Sequence, residues 1–142
     1  MGRLVVSDFT LNFKEKLKYP HNKQGITVKV AIRFGNETPV SAETKLDTGS
    51  TFCIFQPQYA QMLGIEIEKG EPEIIITATG KFIAYAHEVV LQIANFEIEA
   101  TVYFVTDELF PVSVLGRIGF LDRLQIGLID YEQLLYLNSY SE

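Results

Sequence analysis

The chain has one cysteine, Cys53, among 142 residues. That excludes an internal disulfide framework. It has no tryptophan and two histidines, His21 and His87, and no cluster of His, Cys and carboxylate residues at ligand spacing surrounds either, so no metal site is expected. No apolar run approaches the 18 or so residues that would span a bilayer. There is no excess of basic charge: 12 Lys and Arg against 18 Asp and Glu give a net charge of −6. A general binder of nucleic acid or anionic membrane selects the opposite balance. A phosphate-cradling glycine loop is also missing, since Gly116-Arg117-Ile118-Gly119 lacks the Lys-Ser/Thr ending and a long helix after it. The first ten residues, MGRLVVSDFT, lack the apolar stretch and small-residue cleavage site of a secretory signal, so a cytoplasmic setting is expected.

What is present reads as strand. Ile26, Val28, Val30, Ile32 and Phe34 recur at every second position, the period of a half-buried strand. Gly35-Asn36-Glu37 is turn chemistry, and Val40 to Leu46 reads as the returning strand. The sequon Asn36-Glu37-Thr38 is read as part of that turn. Glu73–Ala78 and Phe82–Ile93 flank Thr79-Gly80-Lys81 as a hairpin, and Ala94-Asn95 joins the second arm to a strand over Phe96–Val105. Ile126–Asp130 and Leu134–Tyr140 read as closing strands, and residues 3–13 as an edge strand bent near Ser7-Asp8. Helix signals are few. Pro57 to Leu63 has Pro at its start and Gly64 as its stop, and Arg117 to Leu124 forms a second candidate. Lys14, Lys16 and Lys18 are read as a solvated face, His87 as a strand-surface residue and Cys53 as a small buried hydrophobe.

The segment that carries chemistry is Asp47-Thr48-Gly49-Ser50, set between the apolar strand ending at Leu46 and Phe52-Cys53-Ile54-Phe55. Asp-Thr-Gly alone reads more readily as a surface turn. A carboxylate between buried flanks, however, must be hydrogen-bonded, and the hydroxyls and the glycine beside it supply the means. About seventy residues later Val114-Leu115-Gly116-Arg117 runs into Gly119-Phe120-Leu121-Asp122-Arg123.

This pair of motifs, with a hairpin between them, resembles the retropepsin-like aspartic proteases, and most closely their single-domain prokaryotic relatives. The resemblance covers about residues 25 to 131. It implies an all-β fold, a closed β-barrel or sandwich with a flap hairpin and one or two short helices, in a single domain over residues 1–142. Asp47 is then the catalytic carboxylate. Thr48 ties the active-site loops of two copies together, Gly49 permits their close approach, and Ser50 hydrogen-bonds the outer carboxylate oxygen. Leu115 and Gly116 lie against the catalytic loop. Thr79, Gly80, Lys81 and Phe82 form the tip of the flap. Retroviral members place an aspartate four residues after the catalytic one, as partner to the Gly-Arg arginine. Here that position is Thr51, which leaves Arg117 to pair with Asp122 or with a backbone carbonyl.

Such chemistry needs two carboxylates sharing one proton. Asp8, Asp107, Asp122 and Asp130 are not followed by Thr-Gly or Ser-Gly, and the chain is too short for two lobes. The second Asp must come from a second copy, in a homodimer with a two-fold axis. The expected activity is that of an aspartic endopeptidase on peptide or protein substrates, without metal or cofactor. The alternative is a dimerisation or peptide-binding domain of the same fold without turnover. The apolar run Leu134-Leu135-Tyr136-Leu137 is a candidate for part of the dimer interface.

Overall fold

The computed structural model describes residues 7–140. The strands are β1 (Glu15–Lys18), β2 (Thr27–Arg33), β3 (Val40–Leu46), β4 (Ile54–Phe55), β5 (Glu71–Thr77), β6 (Gly80–Ile93), β7 (Phe96–Phe104), β8 (Ser113–Leu115), β9 (Leu124–Ile129) and β10 (Leu134–Ser139). The main sheet runs β2-β3-β8-β4-β7-β6-β5, and an additional β2–β6 pairing closes its first six strands into a barrel. The alternating residues anticipated for β2 supply its filling: Val28, Val30 and Ile32 point inward and are buried, as are Val89, Leu91 and Ile93 of β6.

β6 is much longer than its neighbours. Its second half is a barrel strand paired with β7 and β2, whereas Gly80 to Ala84 pairs only with β5. The β5–β6 hairpin therefore projects beyond the barrel. Its turn is Ala78-Thr79, and Gly80 opens β6 at φ +151°, a backbone region open to glycine and strained for other residues.

The one α-helix among the described residues, α1 (Pro57–Leu63), occupies the predicted span. Pro57 stands at its start and Gly64 ends it in the left-handed conformation, while Tyr59, Ala60 and Leu63 seal the barrel. The predicted second helix over Arg117–Leu124 is only a 3-10 turn, Leu121–Arg123. Gly119 at φ +103° breaks the helical path, and its N–H is taken by Asp122 Oδ1 at 2.9 Å.

β1, β10 and β9 form a separate antiparallel sheet with β10 at its centre. Leu135 and Leu137 of β10 are fully buried in the same apolar cluster as the barrel strands. Both edges of β10 are paired within the chain, so Leu134–Leu137 offers no free strand edge to a second copy. The edge strand expected over residues 3–13 lies partly outside the described residues, and residues 7–13 are not in a strand. Phe9 and Leu11 are exposed there, while Phe13 is anchored against Tyr136 and Gly127 and the Asn12 carbonyl accepts from the buried Asn138 Nδ2 at 2.7 Å. Among the described residues, no helix is long and apolar enough to cross a membrane.

Candidate active site

β3 carries the chain from the barrel interior to Asp47. Its last residue, Leu46, is buried and lies opposite Leu115 of β8, which runs parallel to β3 and antiparallel to β4. β8 thus sits between the strands that enter and leave the Asp47 loop, and the loop is stitched to it. Asp47 N–H donates to Leu115 O at 3.0 Å, Arg117 N–H to Ser50 O at 2.9 Å and Ile118 N–H to Thr51 O at 2.8 Å. Gly116 is the tightest point. A Cβ there would stand 2.3 Å from Phe52 O and 2.6 Å from Ser50 O, separations that real atoms do not tolerate. The glycine is required because two backbones touch.

Asp47 itself is half-buried. Its Oδ1 accepts the Gly49 N–H at 2.9 Å, and Ser50 N–H donates to Asp47 O at 3.2 Å. The carboxylate is oriented by its own turn. The Ser50 hydroxyl donates to Phe52 O at 2.7 Å; this corrects the reading that it hydrogen-bonds Asp47, and its geometric reason is that the carbonyl two residues on lies within reach. Thr48 is exposed at the turn. Arg117 is exposed too, and neither expected pairing is made. Asp122 is occupied by Gly119, and the arginine enters the site through its backbone.

Cys53 lies beneath the loop, fully buried. Its Sγ is 3.4 Å from Gly116 N and 3.5 Å from Ile118 O. Burial pushes its thiol up to about 11, with Asp122 adding to the rise and the Gly116 N–H opposing it. An inert packing residue results, since the thiolate is the reactive form. His87 departs from its surface reading. It is half-buried, with Nε2 2.8 Å from Ile67 O and its ring edge-on to Phe104. No group of three or more potential metal ligands converges among the described residues.

Asp47, Gly49 and Ser50 open onto a cleft of about 670 Å³ roofed by the β5–β6 hairpin. Of the four residues named for the hairpin tip, Phe82 lines this cleft, while Thr79, Gly80 and Lys81 lie exposed at the turn beyond it. The sequence reading did not name the apolar walls: Ile54, Ile74, Ile76, Phe110 and Val114. The run Ile74-Ile75-Ile76 carried a usable signal, because a surface hairpin arm needs only alternate apolar residues. Nor did it name Gln56, whose Nε2 donates to Phe110 O at 2.8 Å and whose N–H donates to the buried Ser113 hydroxyl at 3.0 Å. Gln56 ties the loop before β8 to the start of α1. Burial raises the Tyr103 phenol above its usual range, with a further contribution from Glu73.

The geometry can be set beside known proteins. A family model described as aspartyl protease matches residues 26–129. The crystal structure of a retropepsin-like aspartic protease from Rickettsia conorii superposes with a TM-score of 0.62 at 19% identity, covering 86% of this chain and 98% of that one. The EIAV protease complexed with the inhibitor HBY-793 gives a TM-score of 0.49 at 20% identity over 77% of this chain and 88% of that one. No curated protein matches the sequence. The family match spans most of the barrel and both motif segments, and with it the chain belongs to the aspartyl protease family, on a retropepsin-like all-β fold.

Proposed function

We propose that the chain is an aspartic endopeptidase that works as a homodimer, with Asp47 of each copy forming one half of the catalytic pair. The observation that carries this reading is the setting of Asp47. It is a carboxylate held by its own turn on the floor of a cleft with largely aliphatic and aromatic walls and no other ionisable side chain in its lining, beneath a projecting hairpin. One such carboxylate per chain is half of what the chemistry needs.

In the dimer the two carboxylates share one proton, because like charges about 3 Å apart do not both ionise. The ionised member takes a proton from a water molecule, whose oxygen attacks the scissile carbonyl carbon. The protonated member gives its proton to the carbonyl oxygen. The tetrahedral intermediate then collapses: the carboxyl that took the water's proton gives it to the nitrogen, the C–N bond breaks, a hydroxyl proton of the intermediate returns to the other carboxylate, and a carboxylic acid and an amine result. Thr48, exposed at the turn, would meet the partner's loop on this reading. The β5–β6 hairpin serves as the flap, closing over a substrate that binds extended along the cleft. On this reading residues 1–142 act as one domain in the cytoplasm, with no metal or cofactor.

The test is cleavage of an unfolded protein at mildly acidic pH by wild type and by Asp47→Asn. We expect wild-type cleavage that a pepstatin-type inhibitor stops, specific activity that rises with concentration as dimer forms, and loss of about 1,000-fold or more in Asp47→Asn, with circular dichroism unchanged. Equal cleavage by both proteins overturns the reading, and a folded wild-type dimer that binds but never cuts leaves a non-catalytic peptide-binding module.

A further inference from the structure

The Asp47 cleft does not end at Phe82 and Phe110. These two rings meet at 5.5 Å between centroids, inclined at 61°. Both also line a second cavity of about 370 Å³ on their other side, where Tyr85, Val105 and Asp107 complete the wall. The two cavities share this aromatic pair as a common wall. They differ in charge. In the inner compartment Asp47 is the only ionisable residue, and the outer one has the carboxylate of Asp107 and no lysine or arginine in its lining.

We infer that the outer compartment is a specificity subsite for a basic side chain of the substrate, with Asp107 as the residue that reads the charge. The inference rests on the endopeptidase reading of the same cleft. Asp107 is exposed, but it is not loose. Its Oδ1 accepts the Leu109 N–H at 2.9 Å, and its carbonyl accepts the Phe110 N–H at 3.1 Å. The turn that fixes Asp107 therefore also fixes Phe110, and Gln56 clamps Phe110 from the other side. One carboxylate oxygen is engaged by that turn, which leaves the other to accept from a ligand. A lysine or arginine lays its methylene stem along apolar surface and presents its charge at the tip. Phe82, Phe110 and Val105 supply that surface, and Asp107 supplies the counter-charge. Glu108, exposed beside it, adds to the negative field.

Side chains return to the same side every second residue, about 6.6 Å along the strand. A residue in the inner compartment and the one two positions away can therefore occupy the two sides of the aromatic pair. Because Asp107 is exposed, the selectivity is graded rather than absolute and weakens with salt.

The experiment uses competing peptides that share one apolar core, with Lys, Gln or Glu walked through the three positions on each side of the scissile bond. Relative kcat/KM is read by mass spectrometry. Binding of the same peptides to the Asp47→Asn protein is read by fluorescence anisotropy. At one position we expect wild type to favour Lys over Glu by about tenfold at low salt, an attraction and a repulsion each of ordinary exposed size. Asp107→Asn, which keeps an acceptor for the Leu109 N–H, should bring the ratio within about twofold, and Asp107→Lys should invert it. Cleavage with the same Lys:Glu ratio in wild type and Asp107→Asn overturns the subsite and leaves the protease standing. Absence of cleavage, with a Lys preference in binding that Asp107→Asn abolishes, overturns the protease and keeps the subsite. Absence of both cleavage and binding overturns the two together.

Discussion

The floor and the roof of the cleft are built in opposite ways. The floor joins segments some seventy residues apart. Residues 47–53 and 114–118 are linked by three backbone hydrogen bonds of 2.8–3.0 Å, and they close around a glycine with no room for a methyl group. The roof is a local ladder. β5 and β6 adjoin in sequence and pair from Glu71–Ala86 to Thr77–Gly80, and of the side chains near the tip only Ile75, Phe82 and Ala84 pack against the barrel's second apolar cluster. Ile74, Ile76 and Ile83 are half or more exposed, and Ile76 is 80% exposed. The difference teaches where stability is placed. Elements with few buried contacts open at low free energy, and elements locked by non-local packing open only with the whole fold. On the function proposed above, a hydrolytic carboxylate needs the second kind of support, and a lid needs the first.

The sharpest way to break the floor is Gly116→Ala. The new methyl group must displace the backbone of Phe52 or Ser50, neither of which can swing aside like a side chain. A loss of about 3 kcal/mol or more is expected, a fall of about 10 °C in melting temperature for a chain of this size. Gly49→Ala is the internal control. Its methyl group would meet only Asp47 Oδ1, at 3.3 Å, so its effect on melting should be several-fold smaller. If the two variants melted together, the crossing of β8 behind the loop would not be the constraint described here.

That constraint was partly legible in the sequence. The Asp-Thr-Gly-Ser turn, the Leu-Gly-Arg motif and the hairpin were all visible, because each is a local pattern of turn chemistry and strand period. α1 was legible to the residue from Pro57 and Gly64. The stretch from Arg117 to Leu124 misled because its apolar spacing suits a helix, whereas the Asp122 carboxylate bonding the Gly119 N–H turns the chain instead. The strand expected near the N-terminus failed for a related reason. Phe9 and Leu11 alternate as a strand would, yet nothing pairs with them among the described residues. The walls of the cleft were the least legible part. Phe110, Gln56 and Val114 become neighbours through the antiparallel pairing of β8 with β4, and a non-local pairing leaves no mark on any short window of sequence.

The roof is best sharpened through Gly80. Its φ of +151°, with nothing within 4 Å of an added Cβ, means that Gly80→Val is strained by its backbone alone and not by crowding. About 1–3 kcal/mol of strain is expected, and a hairpin tip can shed it by fraying. Melting should shift by less than about 4 °C, while kcat/KM for a peptide falls about tenfold or more, because a misshapen tip no longer closes over substrate. In hydrogen exchange, residues 78–83 should exchange well before Val28–Ile32. Equal protection of the two segments would remove the contrast between roof and floor.

The smallest effect concerns the floor again, at alkaline pH. Cys53 is buried beneath the Asp47 loop, and its thiol is raised from 9.0 to about 11 by burial and by Asp122. In the unfolded chain the thiol ionises near 9, while in the folded chain it stays protonated. The folded state therefore binds more protons over this interval, and stability falls as pH rises. The contribution is present below about pH 9 and is lost as pH rises from about 9 to about 11, at on the order of 1 kcal/mol per pH unit. Tyr19, raised to about 12 by burial and by its hydrogen bond to Asp130 in the terminal sheet, adds a loss of the same sign that begins only above pH 10. Cys53→Ala separates the two. Its absolute stability will be lower because a contact with Gly116 is gone, but its urea midpoint should fall less steeply between pH 8 and 10 than that of wild type. At pH 8 the native thiol should also resist alkylation that the urea-unfolded chain undergoes readily. Parallel slopes in wild type and Cys53→Ala, or rapid alkylation of the native protein, would mean that the floor opens as easily as the roof.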